Sequence, residues 1–258
     1  MNNNIFITRK NIDEIILKKN SKDVIIFLSG PTSKKTPLSL LNSNDVVAVN
    51  GSAGYLIENK IKPFIYVLTD FRFLEKRRKD FLQFVENSQF TIVNDDVYNH
   101  APESDKKYIL ENCLIIRSFY KREKGGALKK LKFEYIKRKN NAILIDVPFS
   151  KRKRLTGFCL DISYGYCSCH TVAFAAIQIC YSLGYSRIIC SGLDLTGGCQ
   201  RFYAEDNPLP SELSNDLWKI LPFFSFMKRN VPNINVYNLS DDTAISYDVI
   251  PHINSYEI

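Results

Sequence analysis

The chain is short of the features by which most catalytic classes announce themselves. Only three of its 258 residues are histidine, His100, His170 and His252. None belongs to a spaced Ser/Asp set that would make a hydrolase triad, and no GxSxG elbow occurs. No glycine-rich run ends in Gly-Lys-Ser/Thr and there is no GxGxxG, which weakens the ATPase and dinucleotide readings. No run approaches the roughly 18 apolar residues that suggest a spanning helix. The opening MNNNIFITRK has no apolar core, so no export signal is expected. Internal repeats and low-complexity segments are missing as well.

Cysteine is present but in odd number: Cys113, Cys159, Cys167, Cys169, Cys180, Cys190 and Cys199. Several lie inside apolar runs, where the thiol behaves as a small hydrophobe. Free thiols in a reducing cytoplasm are expected. Cys167, Cys169 and His170 crowd together without a second ligand pair at structural-zinc spacing, so no metal is expected. They read instead as the start of a buried helix, whose free N–H groups and dipole suit an anion.

Hydrophobic residues make up 45%, enough for a sizeable core, and Lys and Arg outnumber Asp and Glu by 35 to 27. A net charge of +8 favours a polyanion such as nucleic acid, anionic lipid headgroups or phosphorylated sugars. The charge gathers at Lys76 to Lys79, at Lys129 to Lys139, and at Lys151, Arg152, Lys153 and Arg154. One such run reads as a solvated face; three point to an anionic surface partner. A nucleic-acid partner is not expected, because no recognisable module or aromatic-interleaved platform accompanies the charge.

Apolar runs at 23–28, 45–49, 64–68, 90–93, 114–116, 187–190 and 234–239 read as strands. Helical patterns at 12–19, 53–60, 73–86, 104–112 and 211–229 separate most of them, with Pro222 a kink candidate. The strands are unbroken rather than alternating, the signature of a mostly parallel sheet with helices on both faces. Several end in small polar residues: Ser29-Gly30, Asn50-Gly51, Thr69-Asp70, Asn94-Asp95 and Ser191-Gly192. At one edge of a parallel sheet these would converge into a nucleotide-binding crevice. The turn Gly30, Pro31, Thr32, Ser33 offers N–H groups and hydroxyls to an anion. The whole chain, 1–258, reads as one domain, with residues 121–156 a basic insertion over the site or facing a membrane.

The stretch 167–198 organises the rest. An apolar helix with Gly184 at its C-cap leads into a short strand, then Ser191-Gly192, Asp194, Thr196 and Gly197-Gly198. These polar residues read as a site; an ordinary Asp-capped turn explains them equally. Asp70 could hold ribose hydroxyls or cap a helix.

The segments FLSGPTSKKTPLSLL, VAVNGSAGYL, PFIYVLTDFRFL, IIRSFYKREKGG, DISYGYCSCHT, ICSGLDLTGGC, PSELSNDLWKILPFF and NLSDDTAISYD resemble the lipopolysaccharide core biosynthesis family RfaZ/WaaZ over nearly the whole chain. A more distant resemblance, through Gly30-Pro31-Thr32, Asn50 and LGYSRIICSGLD, is to bacterial sialyltransferases that use CMP-sialic acid. The resemblance implies a Rossmann-like fold of the sialyltransferase (GT-A variant) type with a lid, and no metal or other cofactor. It implies a Kdo transferase moving 3-deoxy-D-manno-oct-2-ulosonic acid (Kdo) from CMP-Kdo to the lipopolysaccharide inner core on lipid A, adding a third Kdo with inversion. Such an enzyme would be cytoplasmic and peripheral on the inner membrane. A non-catalytic CMP-sugar- or lipid-binding accessory protein is the alternative.

By the same resemblance, Gly30, Pro31, Thr32, Ser33, Asn50, Ser191 and Gly192 surround the CMP. Asp70, His170, Thr171 and Tyr203 join the expected donor site. Arg72, Lys151, Arg152, Lys153 and Arg154 form the expected acceptor or anionic surface. The sialyltransferases place a histidine base just before a helix reading Asp-Ile-x-x-Leu. Aligning that Asp with Asp216 puts Ser211-Glu212 at the base position. Glu212, made more basic by burial, is therefore the expected catalytic base and Asp194 its rival.

Overall fold

An apolar run with no polar break needs cover on both sides, and such runs build the main sheet. The computed structural model describes residues 5–121, 123–196, 201–203 and 213–258, and no side chain at 213 or 214. Strands and helices are numbered in chain order. The sheet strands are β1 (Asp23–Phe27), β2 (Asp45–Val49), β3 (Ile65–Leu68), β4 (Phe90–Asn94), β5 (Leu114–Ile116), β10 (Arg187–Ser191) and β11 (Val236–Asn238). All seven run parallel, in the order β11-β10-β1-β2-β3-β4-β5.

Successive side chains leave opposite faces of a strand, so each strand feeds two cores. Val24, Ile26, Val47, Val49, Ile65 and Val67 belong to one; Ile25, Phe27, Val46, Ala48, Tyr66 and Leu68 belong to the other. From β1 the chain steps outward to β5, then returns on the other side of β1 to lay down β10 and β11. The reversal between β1 and β10 opens a crevice at the carboxyl ends of the strands.

Helix α9 (Val172–Ser182) packs against β1, β2 and β3 and buries eight of its eleven residues. It is apolar on all sides, as a helix enclosed by its own domain must be. Its one buried polar residue, Gln178, is fully satisfied. Oε1 accepts from the N–H groups of Cys159 and Cys167, both at 2.9 Å. Nε2 donates to the carbonyls of Cys167 (3.0 Å) and Phe174 (3.1 Å). Those bonds tie β8 (Thr156–Cys159) and β9 (Tyr166–Cys167) to α9; β9 in turn pairs with β6 (Ser118–Tyr120).

The basic region 121–156 is more ordered than its composition suggests. It carries α8 (Ala127–Lys139) and then β7 (Ile143–Asp146), which pairs antiparallel with β8. Phe133, Ile143, Ile145, Val147 and Leu155 enter the same core as α9.

The helix expected over 73–86 is two: α4 (Phe71–Lys76) and α5 (Arg78–Asn87). Arg77 breaks it with φ −130° and ψ 44°. Its side chain takes Asp80 at 2.5 Å and covers the Phe73 ring. The first helix, α1 (Arg9–Ile16), begins three residues earlier than its apolar pattern suggests, because Thr8 and Asn11 form a capping box. The last, α10 (Leu213–Asn230), continues through Pro222 and packs on β8.

Candidate functional site

The strand ends open into one cleft of about 670 Å³. One wall is made by the turns after β1 and β10, pressed against each other. A Cβ on Gly192 would lie 1.8 Å from Ser33 Oγ, and its φ of +75° suits glycine. A Cβ on Gly30 would lie 2.4 Å from the Gly192 carbonyl oxygen. Asp194 locks the two turns together. Its carboxylate accepts from the N–H of Thr32 (3.0 Å), the hydroxyl of Thr32 and the hydroxyl of Ser240 (2.6 Å). Ser33 donates to the carbonyl of Leu28 (2.8 Å), and the hydroxyls of Ser191 and Thr36 meet at 2.7 Å.

The facing wall is built differently. Thr171 caps α9 by accepting from the N–H of Ala173 (3.3 Å), and the first turn of α9 lines the cleft. Just before it His170 is held with φ +61°, its side chain buried. His170 Nδ1 stands 2.7 Å from Asp216 Oδ2, a carboxylate supplied by the first turn of α10. The Lys219 ammonium, one turn on, holds the other oxygen. Burial pushes the Asp216 carboxyl up, but Lys219 and His170 together outweigh it and leave the group below its ordinary value.

Backbone strain collects in the same place. Of the described non-glycine residues with positive φ, Asn50 (+48°), His170 (+61°) and Leu195 (+54°) line the cleft, while Lys60 (+61°) and Asn233 (+53°) lie elsewhere. Such conformations persist where surrounding structure enforces them, commonly at functional sites. Asn50 Oδ1 is also buried with no hydrogen-bond partner among the described residues, an acceptor facing a polar cleft.

At the far end, Asn94 Nδ2 donates to the Tyr166 hydroxyl (3.0 Å) and Ser118 donates to the same oxygen (3.3 Å). Burial pushes the Tyr166 phenol up to about 12, which keeps it protonated. Lys121 reaches the cleft and pairs with Asp96.

The chain matches the family of 3-deoxy-D-manno-octulosonic acid transferase WaaZ over residues 6–256. It is 65% identical over 254 residues to a Salmonella typhimurium protein named "Probable 3-deoxy-manno-octulosonic acid transferase", covering 98% of this chain and 94% of that one. A protein of the same name from Escherichia coli is 65% identical over 259 residues, covering 100% and 92%. The chain belongs to the WaaZ family of Kdo transferases. Among solved structures it resembles the MAf glycosyltransferase of Magnetospirillum magneticum, with a TM-score of 0.50 and 15% identity. That match covers 92% of this chain and 34% of the other, and speaks for the fold alone.

Within this WaaZ-family fold the expected donor residues separate into two groups. Gly30, Pro31, Asn50, Asp70, His170, Thr171 and Gly192 line the cleft, with Asp194 and Arg72. Asp70 also caps α4 through the N–H of Arg72 (3.1 Å) and takes the Arg72 guanidinium on both oxygens (2.9 and 2.8 Å). Thr32, Ser33 and Ser191 stand behind the turns they brace. Tyr203 packs on Gly51, whose added Cβ would lie 2.5 Å from its ring, and Arg77 covers its face. Lys151, Arg152, Lys153 and Arg154 belong to the loop joining β7 to β8, away from the cleft lining. Glu212 lies outside the described residues.

Asn94, expected at the converging strand ends, lines the cleft; sequence reasoning missed Asp216 and Lys219 as neighbours of His170, and missed Tyr166 and Lys121. The signal available for the first pair was an Asp-x-x-Lys spacing at a helix start, which puts both on one face. The described cysteines are free, and burial pushes Cys113, Cys159 and Cys190 to about 12, where thiols stay protonated and unreactive.

Proposed function

We propose that the chain transfers Kdo from CMP-Kdo to a hydroxyl of the lipopolysaccharide inner core, adding the third Kdo with inversion. Membership of the Kdo transferase family supports the reaction class. The observation that carries the reading is the His170–Asp216 pair beside the N-terminus of α9 in a single polar cleft.

In this reading the CMP phosphate faces the first turn of α9, where the helix dipole favours an anion. Asn50 Oδ1 accepts from the cytosine amino group or a ribose hydroxyl. The acceptor oxygen attacks the anomeric carbon of Kdo as the bond from that carbon to the phosphate oxygen breaks, and the electron pair leaves with CMP. The acceptor proton passes to His170. A carboxylate at Nδ1 keeps the proton there, makes Nε2 the basic nitrogen and stabilises the imidazolium that forms. No cofactor enters, because CMP is itself the leaving group. Asp194 accepts from three protein donors and serves the turn; Glu212 remains the rival base implied by resemblance. The acceptor is lipid-borne, so the work is done at the cytoplasmic face of the inner membrane. Among the described residues no helix is long and apolar enough to cross a membrane.

The test is CMP release from CMP-Kdo with and without inner-core acceptor. Acceptor-dependent release supports the transferase. Tight CMP-Kdo binding with no release in the presence of acceptor would leave the accessory reading. Normal turnover by His170→Gln beside a dead Glu212→Gln would move the base to Glu212.

A further inference from the structure

Residues 121–156 hold thirteen Lys and Arg against three Asp and Glu, whereas the other 222 residues hold twenty-two against twenty-four. The net positive charge of the chain therefore resides in this insertion. Within it, α8 has apolar side chains on two opposite edges. Phe133 faces inward, its ring 5.9 Å from Phe119 and 6.3 Å from Tyr120, with Ile136 packed on the same core. On the outer edge Leu128, Leu131 and Tyr135 are 84%, 69% and 58% exposed. At 100° per residue they form one stripe, bordered by the exposed Lys132 and Lys139 on one side and Arg138 on the other.

The loop between β7 and β8 lies against the start of α8. Gly126 N–H donates to the Pro148 carbonyl (3.0 Å) and Gly125 N–H to that of Lys153 (2.8 Å), which fastens the loop to the start of α8. Phe149 is 71% exposed, with the Lys130 ammonium 4.2 Å from its ring centroid. Lys151, Arg152 and Lys153 are exposed beside it. Single exposed apolar side chains are ordinary, but three along one helix edge framed by cations are not.

We propose that this face, the outer edge of α8, docks on a bilayer containing anionic lipid. Leu128, Leu131 and Tyr135 enter the boundary between headgroups and acyl chains, while Lys132, Arg138 and Lys139 meet lipid phosphates. Charge alone would suit a nucleic acid equally; the aliphatic stripe selects lipid. The insertion leaves the sheet at Lys121, a cleft residue, so docking here holds the cleft beside the bilayer. The proposal rests on the transferase reading only for its purpose.

The experiment is flotation of the full chain with vesicles of phosphatidylcholine alone or mixed with phosphatidylglycerol. Wild type should float with the mixed vesicles. Leu128→Ser/Leu131→Ser/Tyr135→Ser, changing exposed residues, should melt like wild type and lose about tenfold or more in partitioning. Lys132→Gln/Arg138→Gln/Lys139→Gln should lose about fivefold per residue at low salt and much less at high salt. Equal flotation of the apolar variant and wild type would overturn the proposal. So would binding to a single-stranded oligonucleotide with none to vesicles. The apolar variant should keep wild-type turnover on a deacylated, water-soluble acceptor; loss of turnover there by wild type would count against the transferase and leave the docking result standing.

Discussion

The two walls of the cleft each present an aspartate, and the two are used in opposite ways. On the wall made by the turns after β1 and β10, Asp194 accepts from a backbone N–H and two hydroxyls. Those donors are neutral and fixed, and the carboxylate works as a clamp. On the wall made by α9 and α10, Asp216 meets an ammonium and an imidazole. In the proposed reaction the imidazole takes up a proton, and Asp216 supports that transfer. The chemistry around a carboxylate, more than its place in the cleft, decides whether it holds structure or serves reaction.

The sharpest way to break this comparison is His170→Gln. Loss of a general base costs roughly 10²–10⁴ in rate, so kcat should fall by that factor while CMP affinity, measured by calorimetry, stays near wild type. Gly192→Ala attacks the other wall. The added methyl meets Ser33 Oγ and an unfavourable φ, and should lower stability by about 2–4 kcal/mol in denaturant unfolding. Asp194→Asn keeps shape but sets an amide against a donor, at a cost of about 1–3 kcal/mol in stability. Its turnover per folded molecule should remain; an inactive but fully stable Asp194→Asn chain would place the chemistry on the wrong wall.

The smallest effect is one of pH. The Asp216 carboxyl lies below its ordinary 3.8 despite the opposing effect of burial, because Lys219 and His170 favour its charged form. A carboxylate whose folded value is depressed stabilises the fold above its ordinary value and loses that contribution as pH falls through the folded one. Wild type should therefore melt above Asp216→Asn at about pH 5, with the gap closing below 3.8. A gap that stays constant across that window would detach Asp216 from its cationic neighbours.

Much of the first wall was legible because strand-and-turn chemistry is local. Runs such as DVIIF and RIICS mark buried parallel strands, and Ser-Gly or Asn-Gly at their ends marks the edge where they open. The second wall was not legible, since His170 precedes α9, Asp216 belongs to α10, and the two meet only through tertiary packing. Region 121–156 misled for a related reason. Its lysines hide the inward Phe133 and Ile136, and TGFC carries no β-branched run to advertise β8. Only pairing with Ile143–Asp146 makes it a strand.

Gln178 lies where these regions meet. Its amide closes hydrogen bonds to β8, which belongs with the basic insertion, and to β9, which leads to His170. The insertion and the wall that carries His170 therefore share one buried fastening. Neither should open alone: amides of β8, β9 and α9 should exchange with solvent in a single cooperative event, at the rate of the whole domain. Gln178→Leu would split that unit in two, letting the basic insertion loosen while the seven-stranded sheet stays closed.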